Sequence, residues 1–214
     1  MEHFNFLNIL KSLPGIVLGL TVHEFAHAYT AYKLGDSTAK DSGRVSLNPL
    51  KHIDPLGFLL IIVAGFGWAK PVTLNPEKLK KQHRDEILIS IAGPLSNLIL
   101  AILLFILSRA LLFNNYFFTT GIGKEIVNII FYSGIINIML FVFNMLPLPP
   151  LDGSHLYLTY IKKFNPDLMS KIYNYGTIGL LVIILFENQT KIEILPIIPM
   201  INFINSGIIG ILGF

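Results

Sequence analysis

Two imidazoles and a carboxylate fall within five residues of an apolar stretch: HEFAH, residues 23–27, inside LPGIVLGLTVHEFAHAYTAYKLG. In a helix, His23 and His27 stand one turn apart on the same face, with Glu24 beside them. Two imidazoles at that spacing suit a zinc ion, and the adjacent carboxylate suits the base that activates water. A bare H-E-x-x-H is a weak signal. Here the neighbours Val22, Phe25, Ala26 and Ala28 are apolar, as a buried metal helix requires. A lone His on an apolar face is ordinarily a satisfied core residue. Two at i and i+4 with an adjacent Glu are not easily explained that way, because ionisable groups are costly in apolar surroundings.

A catalytic zinc site takes a third protein ligand and keeps one position open. The chain has no cysteine, 13 acidic residues and 6 histidines, so any ligand must be His, Asp or Glu. Most of the acids lie at the terminus, in the charged run 77–86, in polar loops or at the far ends of apolar segments. Asp54, with His52 nearby, and Asp152, with His155 nearby, are left. Asp152 is the better ligand. It lies in PLPPLDG (147–153), where three prolines stop a helix at a depth comparable to HEFAH. Non-helical backbone at membrane depth is tolerated only where protein or water covers it. PLDG is also a good β-turn sequence, and composition alone weighs the two readings about equally; HEFAH tips the balance. Asn144, one turn before the prolines, is suited to hold a substrate backbone or an oxyanion, or else to make a helix–helix hydrogen bond. Asn97 and Ser96, in AGPLSN, read as packing. His52, Asp54 and His155 read as polar groups facing water rather than as supports for metal ligands.

These residues must be positioned by a membrane protein. Of the 214 residues, 53% are hydrophobic and only 14% charged, against about 25% charged in soluble domains. The mean hydropathy is +0.64. The net charge of +3 comes from charges that flank apolar segments rather than forming one patch, which argues against a nucleic-acid partner. Ala26-His27-Ala28 resembles a signal-peptide cleavage site, but the polar His-Glu pair before it and the apolar run beyond it argue against cleavage.

The expected fold is an all-α polytopic membrane protein, a single membrane-embedded domain over 1–214. Its core is 6–156, followed by C-terminal helices at 171–187 and 194–213. About five transmembrane helices are expected, at 6–34, 87–113, 125–146, 171–187 and 194–214. LGFLLIIVAGFGW (56–68) is too short to span and reads as re-entrant. GRVSLN (43–48) alternates and is expected to pair with AKPVTLNP (69–76) as a short membrane-associated β-hairpin, whose edge is suited to capture an unwound substrate. GIVLG (15–19) has a small-xxx-small spacing and is read as helix packing, which leaves the oligomeric state open. With 35–86 and 147–170 on the cytoplasmic side, that side, counting Lys33 and Lys171 at the adjoining helix ends, carries 12 of the 16 Lys and Arg residues. HEFAH then lies about 12 Å from the cytoplasmic end of the first helix.

HEFAH in a membrane helix, followed in order by GRVSLNPLKHIDPLG, GWAKPV, AGPLSN and NMLPLPPLDG, resembles the site-2 protease family of intramembrane zinc metalloproteases. The likeness runs from about residue 13 to 156 and is greatest to the small bacterial branch without a PDZ or other soluble insert. The resemblance implies one zinc ion per chain held by His23, His27 and Asp152, with Glu24 as general acid/base and Asn144 helping to hold substrate. It implies a transmembrane protein or peptide as substrate, the bilayer as surroundings, and a location in the bacterial cytoplasmic membrane with the active site towards the cytoplasm. Two rivals are weaker. A metal transporter needs a path of acidic or His residues, and one cluster is visible. A catalytically inactive, segment-binding relative is opposed by the intact His23, Glu24, His27 and Asp152.

Overall fold

Helix α1 (Phe6–Leu34) stops at Gly35, whose φ of +116° lies where a side chain is strained. The computed structural model describes residues 6–64, 67–190 and 192–213. After α1 come a short helix α2 (Thr38–Asp41), then α3 (Pro55–Ala64) and α4 (Gln82–Leu111). The chain continues through α5 (Asn115–Thr119), α6 (Gly121–Met145), α7 (His155–Phe164), α8 (Pro166–Thr190) and α9 (Ile197–Leu212). Thr120 caps α6 by accepting from the Gly123 amide at 3.0 Å.

The central layer is α1, α4 and α6, each packed on the other two. Close approach is built into their sequences. A Cβ at Gly15 would lie 2.7 Å from the Ser133 backbone, one at Gly19 2.7 Å from Asn137, and one at Gly134 2.8 Å from the Phe105 ring. The GIVLG spacing therefore serves contact with α6 inside the chain. Ala101, Phe105, Ile138 and Val142 form a buried cluster between α4 and α6. Ile197, Ile201, Ile204 and Ile208 lay one face of α9 against it. The chain direction alternates, so the C-terminal ends of α1 and α6 and the N-terminal end of α4 come to one level.

Three helices among the described residues are long and apolar enough to cross a membrane: α4, α6 and α8. The expected count of five is thus met for three. α9 has 16 residues, short of the ~20 a crossing needs, because Pro196 delays its start. α1 has 29 residues, but the polar HEFAH turn and Lys11 interrupt its apolar run. Segment 56–68 leaves and returns at one end: Ile53 bridges Ala69, and the Lys70 amide donates to His52 O at 2.8 Å. Gly65 and Phe66, within that segment, lie outside the described residues.

The expected β-hairpin does not form. That bridge is isolated, and the described residues contain no strand. Both candidate strands run into the same punctuation, SLNPLK (46–51) and TLNPEK (73–78). In each, the Asn side chain caps a 3₁₀ turn that begins at the proline: Asn48 accepts from Leu50 N at 3.0 Å and Asn75 from Glu77 N at 3.1 Å. Pro71 also removes an amide from the second segment. The two segments are joined instead by a side chain, with Arg44 Nη2 donating to Lys70 O.

Candidate metal centre

His23 and His27 face α4 from α1, and Asp152 reaches them from a 3₁₀ turn, Asp152–Ser154, just beyond α6. Their ligating atoms converge: His23 Nε2 lies 3.0 Å from His27 Nε2, and Asp152 Oδ2 lies 3.1 and 3.3 Å from the two nitrogens. Both imidazoles are buried. The turn is set by Gly153, where a Cβ would press on the carbonyl oxygens of Met145 and Leu146. It is further held by Ser90 Oγ, which donates to Asp152 O at 2.8 Å.

The other imidazole nitrogens fix the tautomers. His27 Nδ1 is 2.7 Å from Ile89 O, a carbonyl that only accepts, so Nδ1 carries the proton. His23 Nδ1 is 2.7 Å from Asn97 Oδ1. The Asn97 amide nitrogen donates to Gly19 O at 3.0 Å and to Asn137 Oδ1 at 2.9 Å, so its oxygen is the group left to accept from His23. In neutral imidazoles both Nε2 atoms are then lone pairs, pointing at each other and at a carboxylate oxygen that has no hydrogen-bond partner. Three acceptors packed this closely repel unless a proton or a metal cation lies among them. Tetrahedral zinc with ligand distances near 2.0–2.1 Å sets its ligands about 3.3 Å apart. The residues fit that ion.

Gly93 makes room for the pair. A Cβ there would lie 2.3 Å from His27 Nε2 and 2.8 Å from His23 Cε1, too close to both rings. Sequence reasoning passed over Gly93, and it read Asn97 as packing, whereas Asn97 holds a cluster histidine. The available signal was a polar residue in the middle of an otherwise apolar α4.

Glu24 is buried beside the cluster, and its carboxylate lies 3.8 Å from Arg44 Nη2. Glu24 and the cluster sit against a cavity of about 710 Å³ whose lining includes His23, Glu24, His27, Asp152, Trp68 and Asn144. Asn144 donates to Leu140 O of its own helix at 2.9 Å. His155 lines the cavity too, and burial lowers its proton affinity. Asp54 stays away from the cluster and caps α3 by accepting from Gly57 N at 2.8 Å. His52 is fully buried, with Nε2 2.6 Å from Ser46 O. Burial pushes its proton affinity down, so it is an interior residue rather than the water-facing one expected.

The profile of Peptidase family M50 matches residues 12–125 and 119–186. "Putative zinc metalloprotease YwhC" of Bacillus subtilis is 43% identical over 195 residues, covering 87% of this chain and 84% of that protein. Rip2 of Mycolicibacterium smegmatis, named in the same way, is 31% identical over 80% of this chain and 64% of its own length. MJ0611 of Methanocaldococcus jannaschii, again so named, is 29% identical over 86% of this chain and 85% of its own. No solved structure matches the chain. Motif order, a buried histidine–carboxylate cluster and a match over most of the sequence agree: the chain belongs to peptidase family M50, the site-2 protease family of zinc metalloproteases.

Proposed function

We propose that the chain is an intramembrane endopeptidase that holds one zinc ion with His23, His27 and Asp152 and cuts peptide bonds within or near transmembrane segments. The observation that carries this is the convergence of two imidazole lone pairs and a partnerless carboxylate oxygen, 3.0–3.3 Å apart, on the wall of a cavity. When bound, zinc supplies Lewis acidity, bringing the ionisation of water towards neutral pH and favouring negative charge on a carbonyl oxygen.

The chain's own groups do the rest. Glu24 takes the proton of the attacking water and returns it to the departing amine. Asn144 holds the substrate backbone in the same cavity. A transmembrane substrate hides its peptide bonds in helical hydrogen bonds, so it must unwind locally before it can fit. The natural setting is an integral membrane position in the bacterial cytoplasmic membrane. The cluster end, where the loops are rich in Lys and Arg, faces the cytoplasm.

The test is metal content and cleavage of a transmembrane substrate by the detergent-purified protein. Wild type should carry close to one zinc per chain. Asp152→Ala should lose most of it. Glu24→Gln should keep the zinc but cleave about 10²–10⁴-fold more slowly. Zinc unchanged in Asp152→Ala would move the third ligand elsewhere, and full activity in Glu24→Gln would remove Glu24 from its role.

A further inference from the structure

The asparagine that holds His23 is itself held. Asn137, on α6, is fully buried, as is Asn97. Asn137 Nδ2 donates to Ser133 O at 2.8 Å and to Gly15 O at 3.3 Å, which uses both of its protons. Its Oδ1 therefore faces Asn97 and accepts from Asn97 Nδ2. Asn97 Nδ2 gives its second proton to Gly19 O. Each amide thus has one satisfiable orientation. Flipping Asn137 would aim its oxygen at two carbonyls and set two NH₂ groups face to face. Flipping Asn97 would aim NH₂ at the protonated Nδ1 of His23. Both side chains are fully buried, and an unpaired buried polar group is expensive.

We infer that Asn137 and Asn97 form an amide relay that reads the Gly15 and Gly19 carbonyls and sets the tautomer of His23, making Asn137 a positioning residue for the metal although it touches no ligand. The inference rests on the metal reading above. GIVLG has a second use in it. The absence of Cβ atoms at Gly15 and Gly19 lets α6 come close enough for the Asn137 side chain to reach across to α1. Partners that orient a ligating histidine are ordinarily one hydrogen bond away from it. Here orientation is passed on through a second side chain on a third helix.

The experiment is zinc affinity, measured by chelator competition on the detergent-purified protein, with thermal stability recorded for each variant. Asn97→Leu should weaken zinc binding about 10–100-fold, and Asn137→Leu about 10-fold, because Asn97 is then free to rotate. Ile138→Ala, which removes a buried neighbour of Asn137 but no amide, should lower the melting temperature and leave zinc affinity alone. Zinc affinity unchanged in Asn137→Leu or in Asn97→Leu would overturn the relay while leaving the metal site standing. A wild type that binds no zinc would overturn both.

Discussion

The α1–α4–α6 seam and helix α8 are both built from apolar helix, yet on opposite terms. In the seam, helices meet at glycines, and the polar groups between them are buried and paired: Asn97, Asn137, Ser133 and Ser108 all have partners. In α8, a single side chain, Leu180, is buried among 25 residues, and neighbours such as Ile178, Leu181 and Val182 are exposed. Lipid is as apolar as leucine, so leaving those side chains outward costs nothing, and hydrophobicity alone does not drive helices together in a bilayer. Close contact and internal hydrogen bonds do, and the seam has both. The histidine–carboxylate cluster lies at the end of the seam, where three helices already hold one another in register.

The largest break in this contrast should come from Gly93→Ala. Its Cβ would displace the His27 ring, so zinc content and cleavage should both fall to background while the protein remains inserted in the membrane. Zinc retained at wild-type level would mean that the two helices can separate more easily than their packing implies. Next in size, Phe105→Ala, in the buried α4–α6 cluster, should cost about 3–5 kcal/mol in unfolding measured in detergent, while Leu181→Ala, on the exposed face of α8, should cost less than about 0.5 kcal/mol. Similar losses at the two positions would erase the distinction between the regions.

The smallest effect concerns the loop end of the seam. Asp36 accepts from Thr38 N at 2.9 Å and Asn75 N at 2.6 Å. Burial raises its pKa, but these hydrogen bonds and the charge of Lys78 outweigh burial and hold it below the usual carboxylate range. A depressed folded-state pKa gives stability that is present above the unfolded value, near pH 4, and is lost as pH falls through the folded one. Asp36→Asn should therefore be slightly less stable than wild type at pH 7, with the gap closing below about pH 4 in thermal melts. A gap independent of pH would assign the effect to packing.

The sequence was most legible where function is local. HEFAH announces itself because two ligands of the cluster share one helix face, and LDG because glycine and prolines mark broken backbone. Gly93 and Asn97 were illegible in role for the opposite reason. Each acts on a residue of another helix, and nothing within AGPLSN says which helix crosses there. GRVSLN misled because its alternation is real, but the Asn-Pro pair beyond it spends the backbone on a capped turn before a ladder can begin. Hydropathy located α4, α6 and α8, but each helix starts four or five residues earlier, in polar sequence that hydropathy does not count: at Gln82, Gly121 and Pro166 rather than 87, 125 and 171. At α9, Pro196 stands at the helix start and divides an apolar run that composition alone presented as continuous, while Pro199 is accommodated in the first turn.

The cluster also carries a consequence for timing. His23 and His27 emerge early in synthesis and Asp152 only after α6 is complete, with α4 threaded between them to supply Asn97 and the Gly93 gap. A ribosome must therefore have delivered roughly two thirds of the chain before the full set of groups exists in one place. The nascent protein is chemically mute until its third core helix has been inserted, and a cell making it is not exposed to a half-built protease.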